Sequence, residues 1–376
     1  MDQTKAKKTV FRLAPGRHIL LLVSAAVIVL HLLTRRSHAL NRWLSAHFVR
    51  PLHRGLSLLT APLPFSAAEL LIGLAALAFV VSILFSLFRL LFRPGKGRTV
   101  YLLFVTLASF GLAVYAGFCL LWGVYYYGDN FAAQSGLRAD PVSVEELRTV
   151  TAYFADLCNE YADKVPRDGD GCCATDRALM LRRSPEVYAE AERLFPCLEG
   201  PEVPAKGVFF SRIMSYTDFT GFFFPFTAEA NVNTDFPPAL FASTIAHELA
   251  HQRGVAKEQE ANFCAVLASL SYGETNYCYS AALLAYTHLG NALYSADHAA
   301  WEEIYATLET PVLRDFAASR AYWQQFETPV QTVSNTVYEN FLYSYDQELG
   351  LKSYGACVDL LVNYYYDAAC EAAGLS

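Results

Sequence analysis

Two histidines and a glutamate with the spacing His-Glu-x-x-His begin at residue 247 of this 376-residue chain. In an α-helix, residues i and i+4 share one face, so His247 and His251 can direct two imidazole rings at one metal ion. Glu248 lies one position further round the helix, where its carboxylate can hold a water molecule rather than the metal. Zinc lowers the pKa of such a water towards about 7, and a carboxylate can then take its proton during attack on a carbonyl. The spacing therefore indicates a zinc site in which Glu248 is the general base of peptide hydrolysis.

The flanking residues predict that the motif lies within one helix. The stretch DFPP at 235–238 is typical of a helix start, because proline is tolerated in the first turn. Residues 239–253 contain no glycine or proline, and Gly254 then follows as a C-terminal stop. Both histidines are therefore expected on a single helix, near its end.

A catalytic zinc ion usually takes three protein ligands and keeps its fourth position open. The third ligand is expected to be Glu258, with Glu260 as the alternative, on a second helix predicted over 257–271. Glu258 and Asn262 share a face of that helix at i and i+4. Their E-x-x-A-N arrangement resembles the E-x-x-A-D of membrane gluzincin peptidases, in which the glutamate binds zinc and the later residue hydrogen-bonds a ligand histidine. Asn262 replaces the aspartate here, so it can still accept that hydrogen bond but lacks the charge that raises ligand basicity.

Three nearly continuous apolar segments, at about 18–34, 65–88 and 101–123, occupy the N-terminal third. Each is near the length that crosses a hydrocarbon core about 30 Å thick. Cleavage of the first as a signal peptide is disfavoured by the two arginines that follow it, Arg35 and Arg36. The sequence predicts a membrane region over residues 1–127 with three transmembrane helices, and a separate domain over residues 128–376.

Charge divides sharply at the same boundary. Residues 1–127 contain 14 of the 29 Lys+Arg but only two of the 36 Asp+Glu, and the remainder has a net charge of −19. The positive-inside rule places the basic N-terminal tail and the loop at 89–98 in the cytoplasm, and hence the acidic domain outside the cytoplasmic (inner) membrane. Five arginines between residues 35 and 54 oppose this orientation, unless their loop forms an interfacial amphipathic helix that pairs with lipid phosphates.

The C-terminal domain is predicted to be mainly α with a small β element, as in a zincin-like α+β metallopeptidase. Helical periodicity or composition covers 143–164, 185–195, 239–253, 257–271, 279–294, 299–309, 330–345 and 352–369. The aromatic-rich segment 207–233 predicts the β element. An edge strand there is expected to hold an extended peptide by strand addition. Glu229, Asn231 and Asn233 alternate along its end, where they either line the cleft or cap a turn.

Two further groups of residues are less specific. Peptide hydrolysis needs a donor for the developing oxyanion, and His288, Tyr279, Tyr338 and Tyr354 are the candidates. Any one of 23 tyrosines is more commonly a packing residue, and so is a histidine on an apolar helix such as that of His288. Eight of the nine cysteines lie outside the apolar segments, and their even number permits disulfides in an exported domain.

Six stretches spread over most of the chain carry a family resemblance. They are PFSAAEL at 64–70, LLWGVYYYGDNFAAQSGL at 120–137, FPFTAEANVN at 224–233, HELAHQRGVAKEQEANF at 247–263, YSAALLAYTHLGNAL at 279–293 and SNTVYENFLYSYDQELGLKSYG at 334–355. Together they resemble a bacterial domain-of-unknown-function family of integral-membrane HExxH proteins, regarded as gluzincin-like zinc peptidases. The resemblance implies a membrane-anchored hydrolase and supplies no substrate.

The sequence thus predicts a membrane-anchored zinc metallopeptidase with Zn²⁺ bound by His247, His251 and Glu258 and with Glu248 as base. Its expected partners are a protein or peptide substrate and the lipid bilayer, whereas the acidic domain and the lack of a P-loop argue against nucleic acid. The alternative is a non-catalytic binding or assembly module that retains a zincin fold. Glu248 favours the enzyme, since a structural zinc site has no need of a general base. A transporter is disfavoured, because the three spans contain no internal charged pair.

Overall fold

The computed structural model describes residues 14–345 and 355–375, which form two compact units. The first unit is drawn from Met1–Pro51 and Ala67–Gly128, and the second from Leu52–Ser66 and Asp129–Ser376. Leu52–Ser66 thus belongs to the same unit as the residues from Asp129 onward.

The first unit is helical. Its helices are α1 (Pro15–Thr34), α2 (His38–Leu44), α4 (Ala67–Phe92) and α5 (Lys96–Phe118), and a π-helical turn, Cys119–Gly123, extends α5. Helix α3 (Arg50–Thr60) begins in the first unit and continues into the second. Because α1, α4 and the extended α5 are long and apolar enough to cross a membrane, they indicate a membrane protein. They fall on the three predicted spans, and α5 packs against both α1 and α4.

The segment between α1 and α4 joins the second unit through specific hydrogen bonds. In α3, the Ser57 hydroxyl donates to the Ala228 carbonyl at 2.8 Å. Ser66, the residue before α4, donates to Asn231 Oδ1 at 2.6 Å. These contacts require Leu52–Ser66 and the C-terminal domain to lie on the same side of a membrane. Because α4 and α5 lie between these two segments in the chain, a membrane crossing by each helix would return the chain to the side it left.

The second unit is mainly helical and contains one large hydrophobic core. Its remaining helices are α6 (Phe131–Ser135), α7 (Val144–Ala162), α8 (Arg177–Arg183), α9 (Ala189–Leu194), α10 (Ser211–Ser215), α11 (Phe241–Gln252), α12 (Glu258–Tyr272), α13 (Thr275–Ala296), α14 (His298–Tyr305), α15 (Thr310–Gln324), α16 (Pro329–Ser344) and α17 (Gly355–Ala372). The centre of the core is α13, which packs on α7, α11, α12 and α17. Helices α11 and α12 correspond to the two helices predicted around the metal motif.

A three-stranded sheet lies beside α11, as predicted for segment 207–233. Its strands are β1 (Lys206–Val208), β2 (Gly221–Phe224) and β3 (Glu229–Asn233), in the order β1-β3-β2. Strand β3 is parallel to β1 and antiparallel to β2, so β2 lies at an edge of the sheet. The central strand β3 is buried throughout and packs on α11.

Glu229, Asn231 and Asn233 lie on that central strand and are buried, so they do not line an open cleft. Each instead bonds to a neighbouring segment. Asn233 Nδ2, for example, donates to Ser215 Oγ at 3.0 Å and to the Phe219 carbonyl at 3.1 Å. These side chains fix the connections on both sides of β2, because a buried amide must be hydrogen-bonded.

The cysteines of the second unit are mostly structural. Cys158, Cys264 and Cys357 are buried, and their burial raises the pKa of each thiol. Among the candidates for disulfides, the free thiols include Cys158, Cys172, Cys173, Cys264, Cys278, Cys357 and Cys370. The disulfides that the sequence permits therefore do not include these residues.

Candidate metal centre

Helix α11 presents both histidines of the motif on one face. The ring centroids of His247 and His251 lie 4.7 Å apart with an interplanar angle of 88°. The helix ends beside them, where Gly254 adopts a φ of 87°. This left-handed backbone conformation suits glycine and turns the chain back towards the histidines.

Glu258 lies in the first turn of α12, immediately after this reversal. Its Oε2 atom is 3.2 Å from His247 Nε2 and 3.5 Å from His251 Nε2. Ligand atoms of the three side chains all lie within 4.8 Å of one another. The structure thus brings together the three residues that the sequence nominated as metal ligands.

The outer nitrogens of both imidazoles are bound by oxygen atoms. His247 Nδ1 is 2.8 Å from Asn262 Oδ1, and His251 Nδ1 is 2.7 Å from the Val255 carbonyl oxygen. Because both oxygens accept, each Nδ1 carries a proton and donates. Each Nε2 therefore faces Glu258 as the remaining ring nitrogen. Asn262 occupies the position predicted for it.

This arrangement strongly couples the charges of the three side chains. Burial alone would raise the pKa of Glu258, but the two histidines lower it well below its usual range. Burial alone would likewise lower the pKa of His251, yet the facing carboxylate raises it to about 9. A positive charge between the three groups, either a proton or a metal ion, therefore relieves the repulsion between their lone pairs.

Two imidazole nitrogens and a carboxylate oxygen fit zinc. Zinc prefers such ligands at about 2.0–2.2 Å in a tetrahedron, which separates neighbouring ligand atoms by about 3.4 Å. The two separations from Glu258 to the histidines, 3.2 and 3.5 Å, bracket that value. With three ligands from the chain, a fourth position remains for water or a substrate.

Glu248 lies next to this triad and faces strand β2. The side chain is buried, and its Oε2 has no hydrogen-bond partner among the described residues. Burial raises the pKa of this carboxyl to about 7, although the charges of His247 and His251 oppose the shift. A Cβ atom built on Gly221 would lie 2.5 Å from Glu248 Oε1, so a glycine is required for β2 to pass this close.

Glu260, the alternative third ligand, has a structural role. Its two carboxylate oxygens accept hydrogen bonds from the backbone amides of Phe131 and Ala132, at 2.9 and 3.0 Å. These amides open helix α6, whose N-terminus favours a negative charge. Glu260 is thus occupied away from the histidines, and Glu258 is the one of the two glutamates that faces them.

The candidates for oxyanion stabilisation separate clearly. Tyr338, on α16, donates its hydroxyl to Glu258 Oε1 at 2.8 Å. His288 is buried, and burial together with the charge of His247 lowers its pKa to about 4. Tyr279 belongs instead to a buried cluster with Arg167 and Asp315, and Tyr354 lies outside the described residues.

Two contributors to the site escaped the sequence analysis. The Val255 carbonyl could not be found, because a backbone acceptor leaves no trace in residue type. Gly221 had one signal, a glycine just before the aromatic run of a predicted strand, where glycine often marks a close approach.

Comparison with known proteins gives a family and no activity. The family model described as a protein of unknown function (DUF3810) matches residues 45–362. The chain therefore belongs to this family, which agrees with the predicted resemblance to a domain-of-unknown-function family. No curated protein and no solved structure gives a significant match.

The geometry predicts opposite behaviour for the two candidate glutamates. We expect Glu258→Gln to weaken zinc binding by more than the roughly 10–100-fold that loss of an outer partner costs. Glu260→Gln should retain the metal and lower stability by about 1–3 kcal/mol, since it weakens a buried charged hydrogen bond. Zinc content and thermal unfolding of the full chain measure both effects. Loss of zinc only in Glu260→Gln would show that the ligand has been misassigned.

Asn262 supplies a second prediction about the same centre. Replacing it with leucine removes the acceptor for His247 and should weaken zinc binding by about 10–100-fold. The variant Asn262→Asp places a charged acceptor against His247, so its zinc binding should be tighter than that of the wild type. Competition with a fluorescent zinc chelator gives the affinities. Equal affinities in all three proteins would mean that Asn262 does not orient the ligand.

Proposed function

We propose that the chain is a membrane-anchored zinc metallopeptidase that hydrolyses peptide bonds. The observation that carries the proposal is the convergence of His247, His251 and Glu258, with Glu248 beside them. The three-ligand set suits a catalytic rather than a structural zinc site, because structural sites usually close all four positions with protein ligands. Bound there, zinc would polarise the scissile carbonyl and make water acidic enough to react near neutral pH.

The residues of the chain would then divide the remaining tasks. Glu248 has one carboxylate oxygen without a partner among the described residues, so it is placed to take a proton from the attacking water. The same carboxyl would pass that proton to the amine of the leaving peptide. Tyr338, whose hydroxyl already contacts Glu258, would be the donor for the developing oxyanion.

Strand β2 offers a way to align a peptide substrate. It pairs with β3 alone within the described sheet, and its first residue, Gly221, touches Glu248. An extended peptide added to this edge would run past the general base, with its backbone hydrogen-bonded and its side chains alternating in direction. Edge pairing would recognise the peptide backbone and place few demands on its sequence.

The charge distribution supports one orientation in the membrane. We propose that the domain faces the extracytoplasmic side of the cytoplasmic membrane, because the basic tail and the loop at 89–98 favour the cytoplasm. One arginine of the opposing first loop lies in an ion pair: Arg54 contacts Glu199 at 3.3 Å. Its charge is therefore partly met by protein, which weakens the conflict with this orientation.

The central test compares the wild type with Glu248→Gln, both as full chains in lipid nanodiscs, because Leu52–Ser66 belongs to the same unit as the site. We expect one zinc per chain in both proteins. Cleavage of a broad peptide library should fall by about 10²–10⁴-fold in the variant, the usual contribution of a general base. Chelation should abolish wild-type cleavage and added zinc should restore it.

The outcomes of this comparison separate the hypotheses. Zinc in both proteins without cleavage in either would favour a non-catalytic binding or assembly module. A chain that binds no zinc would rule out the metallopeptidase. Equal cleavage by both proteins would show that another group acts as base.

Gly221→Ala tests the contact between β2 and the base. The added methyl would displace either the strand or the Glu248 carboxylate, and a misplacement of about 1 Å can cost about 100-fold in rate. Zinc content should stay at the wild-type level, since the three ligands are untouched. Gly55→Ala is the matched control, because a Cβ there meets nothing within 4 Å. Full activity in Gly221→Ala would remove this strand from the mechanism.

A further inference from the structure

The connection between β1 and β2 exposes three large apolar side chains within five residues. Phe209, Phe210 and Ile213, here called the Phe209 patch, are 84%, 55% and 63% exposed. We propose that the Phe209 patch is seated in the surface of the lipid bilayer, and that the neighbouring site cleaves polypeptide segments where they leave the membrane. The second part rests on the proposed peptidase function; the first does not.

Hydrogen bonds anchor the segment that carries the Phe209 patch. Phe209 and Phe210 make an edge-on ring contact at 5.0 Å, and Ile213 lies on the short helix α10. Both ends of α10 are tied down, since Thr234 N donates to Ser211 Oγ at 2.8 Å and Ser215 Oγ lies 2.6 Å from the Tyr322 hydroxyl. Single exposed apolar residues are common on soluble surfaces, but a clustered group in an anchored element marks a binding surface.

The chain itself indicates that the bilayer is the occupant. Lys206, three residues before Phe209, donates through its ammonium group to the carbonyls of Ala61 and Leu63. Four residues after Leu63, Ala67 begins α4, a helix long and apolar enough to span a membrane. Three residues reach about 10 Å and four reach about 14 Å. The Phe209 patch is thus separated from the start of the candidate span α4 by only a few residues on each side of the Lys206 hydrogen bonds.

A second tie runs through the central strand. Ser66, next to the start of α4, donates to Asn231 on β3. Asn231 pairs with Phe222 on β2 and with Lys206 on β1, so this hydrogen bond ties the sheet to the residue that precedes α4 in the chain. Phe and Ile side chains bury their apolar surface when they lie in the interfacial region of a bilayer.

The connection that carries the Phe209 patch leads to β2, the edge strand beside Glu248. Eight residues after Ile213, Gly221 begins β2 and touches Glu248. A patch buried in the interface would therefore hold the edge strand close to the membrane surface. The substrates best placed to pair with β2 are extended juxtamembrane segments, whether of membrane-spanning or lipid-anchored polypeptides.

The lipid contact is tested without any measurement of activity. An environment-sensitive fluorescent amino acid replaces Ile213 in the full chain, which is reconstituted in nanodiscs with or without brominated phospholipid. We expect brominated lipid to reduce emission at least about twofold, as it should for the same probe at Leu77 within α4. The probe at Tyr294, which is 52% exposed on α13, should be unaffected.

Emission at position 213 that stays unquenched while position 77 is quenched would overturn the membrane contact. Cross-linking of position 213 to a second copy of the chain or to another protein would overturn it as well. Quenching at 213 and 77 but not at 294 would support it, whatever the catalytic activity of the protein.

The substrate class is tested with one peptide library in two forms, free in solution or coupled to a phospholipid headgroup in the nanodisc. The variant Phe209→Glu/Ile213→Glu keeps all three spans, so it retains the increase in local concentration that coupling provides. We expect it to cleave the coupled library about tenfold more slowly than the wild type, and the free library at an equal rate. Equal rates on both libraries, or equal losses on both, would overturn the substrate assignment. A wild type that cleaves neither library would refute the peptidase function while leaving the quenching result intact.

Discussion

The geometry of the candidate metal centre depends on a single reversal of the backbone at Gly254. Helix α11 ends at Gln252, one residue after the second histidine, and the left-handed conformation of Gly254 sends the chain back. The reversal places the Val255 carbonyl against His251 and brings Glu258 round to face both rings. A side chain other than hydrogen would strain this conformation by about 1–2 kcal/mol. The fold alone thus brings the three side chains together.

The reversal also creates an electrostatic requirement. It packs three basic atoms into a small space, and each needs a cation or a proton. Neighbouring hydrogen bonds hold these atoms in place. Asn262 and the Val255 carbonyl accept from the Nδ1 atoms of the two histidines, and Tyr338 donates to the other carboxylate oxygen of Glu258. Such a cluster is costly unless its charges are compensated, so a proton or a metal ion between the three groups would stabilise it.

The proximity of His247, His251 and Glu258 was predictable from the sequence because the three residues are close in the chain. Helical periodicity alone places His247 and His251 on one face, and the glycine stop marks the reversal. The choice between Glu258 and Glu260 needed the structure, because residues two apart differ by about 200° around a helix and only packing decides which one faces α11. Tyr338 and Gly221 come from distant segments, and no spacing rule connects them to the motif. The attachment of Leu52–Ser66 could not be predicted for the same reason. Its sequence is typical of an interfacial helix, but its polar groups hydrogen-bond to β3 and to the turn before β3.

The contact between Gly221 and Glu248 constrains how this family can vary. A strand that passes a buried carboxylate at this distance has no room for even one methyl group, so the two positions cannot change independently. Relatives that retain glutamate at 248 should retain glycine at 221. Relatives with a smaller residue at position 248 have room for alanine or serine at position 221. Aligned family members can therefore be divided, by this one distant pair, into chains that keep the buried carboxylate and chains that have lost it.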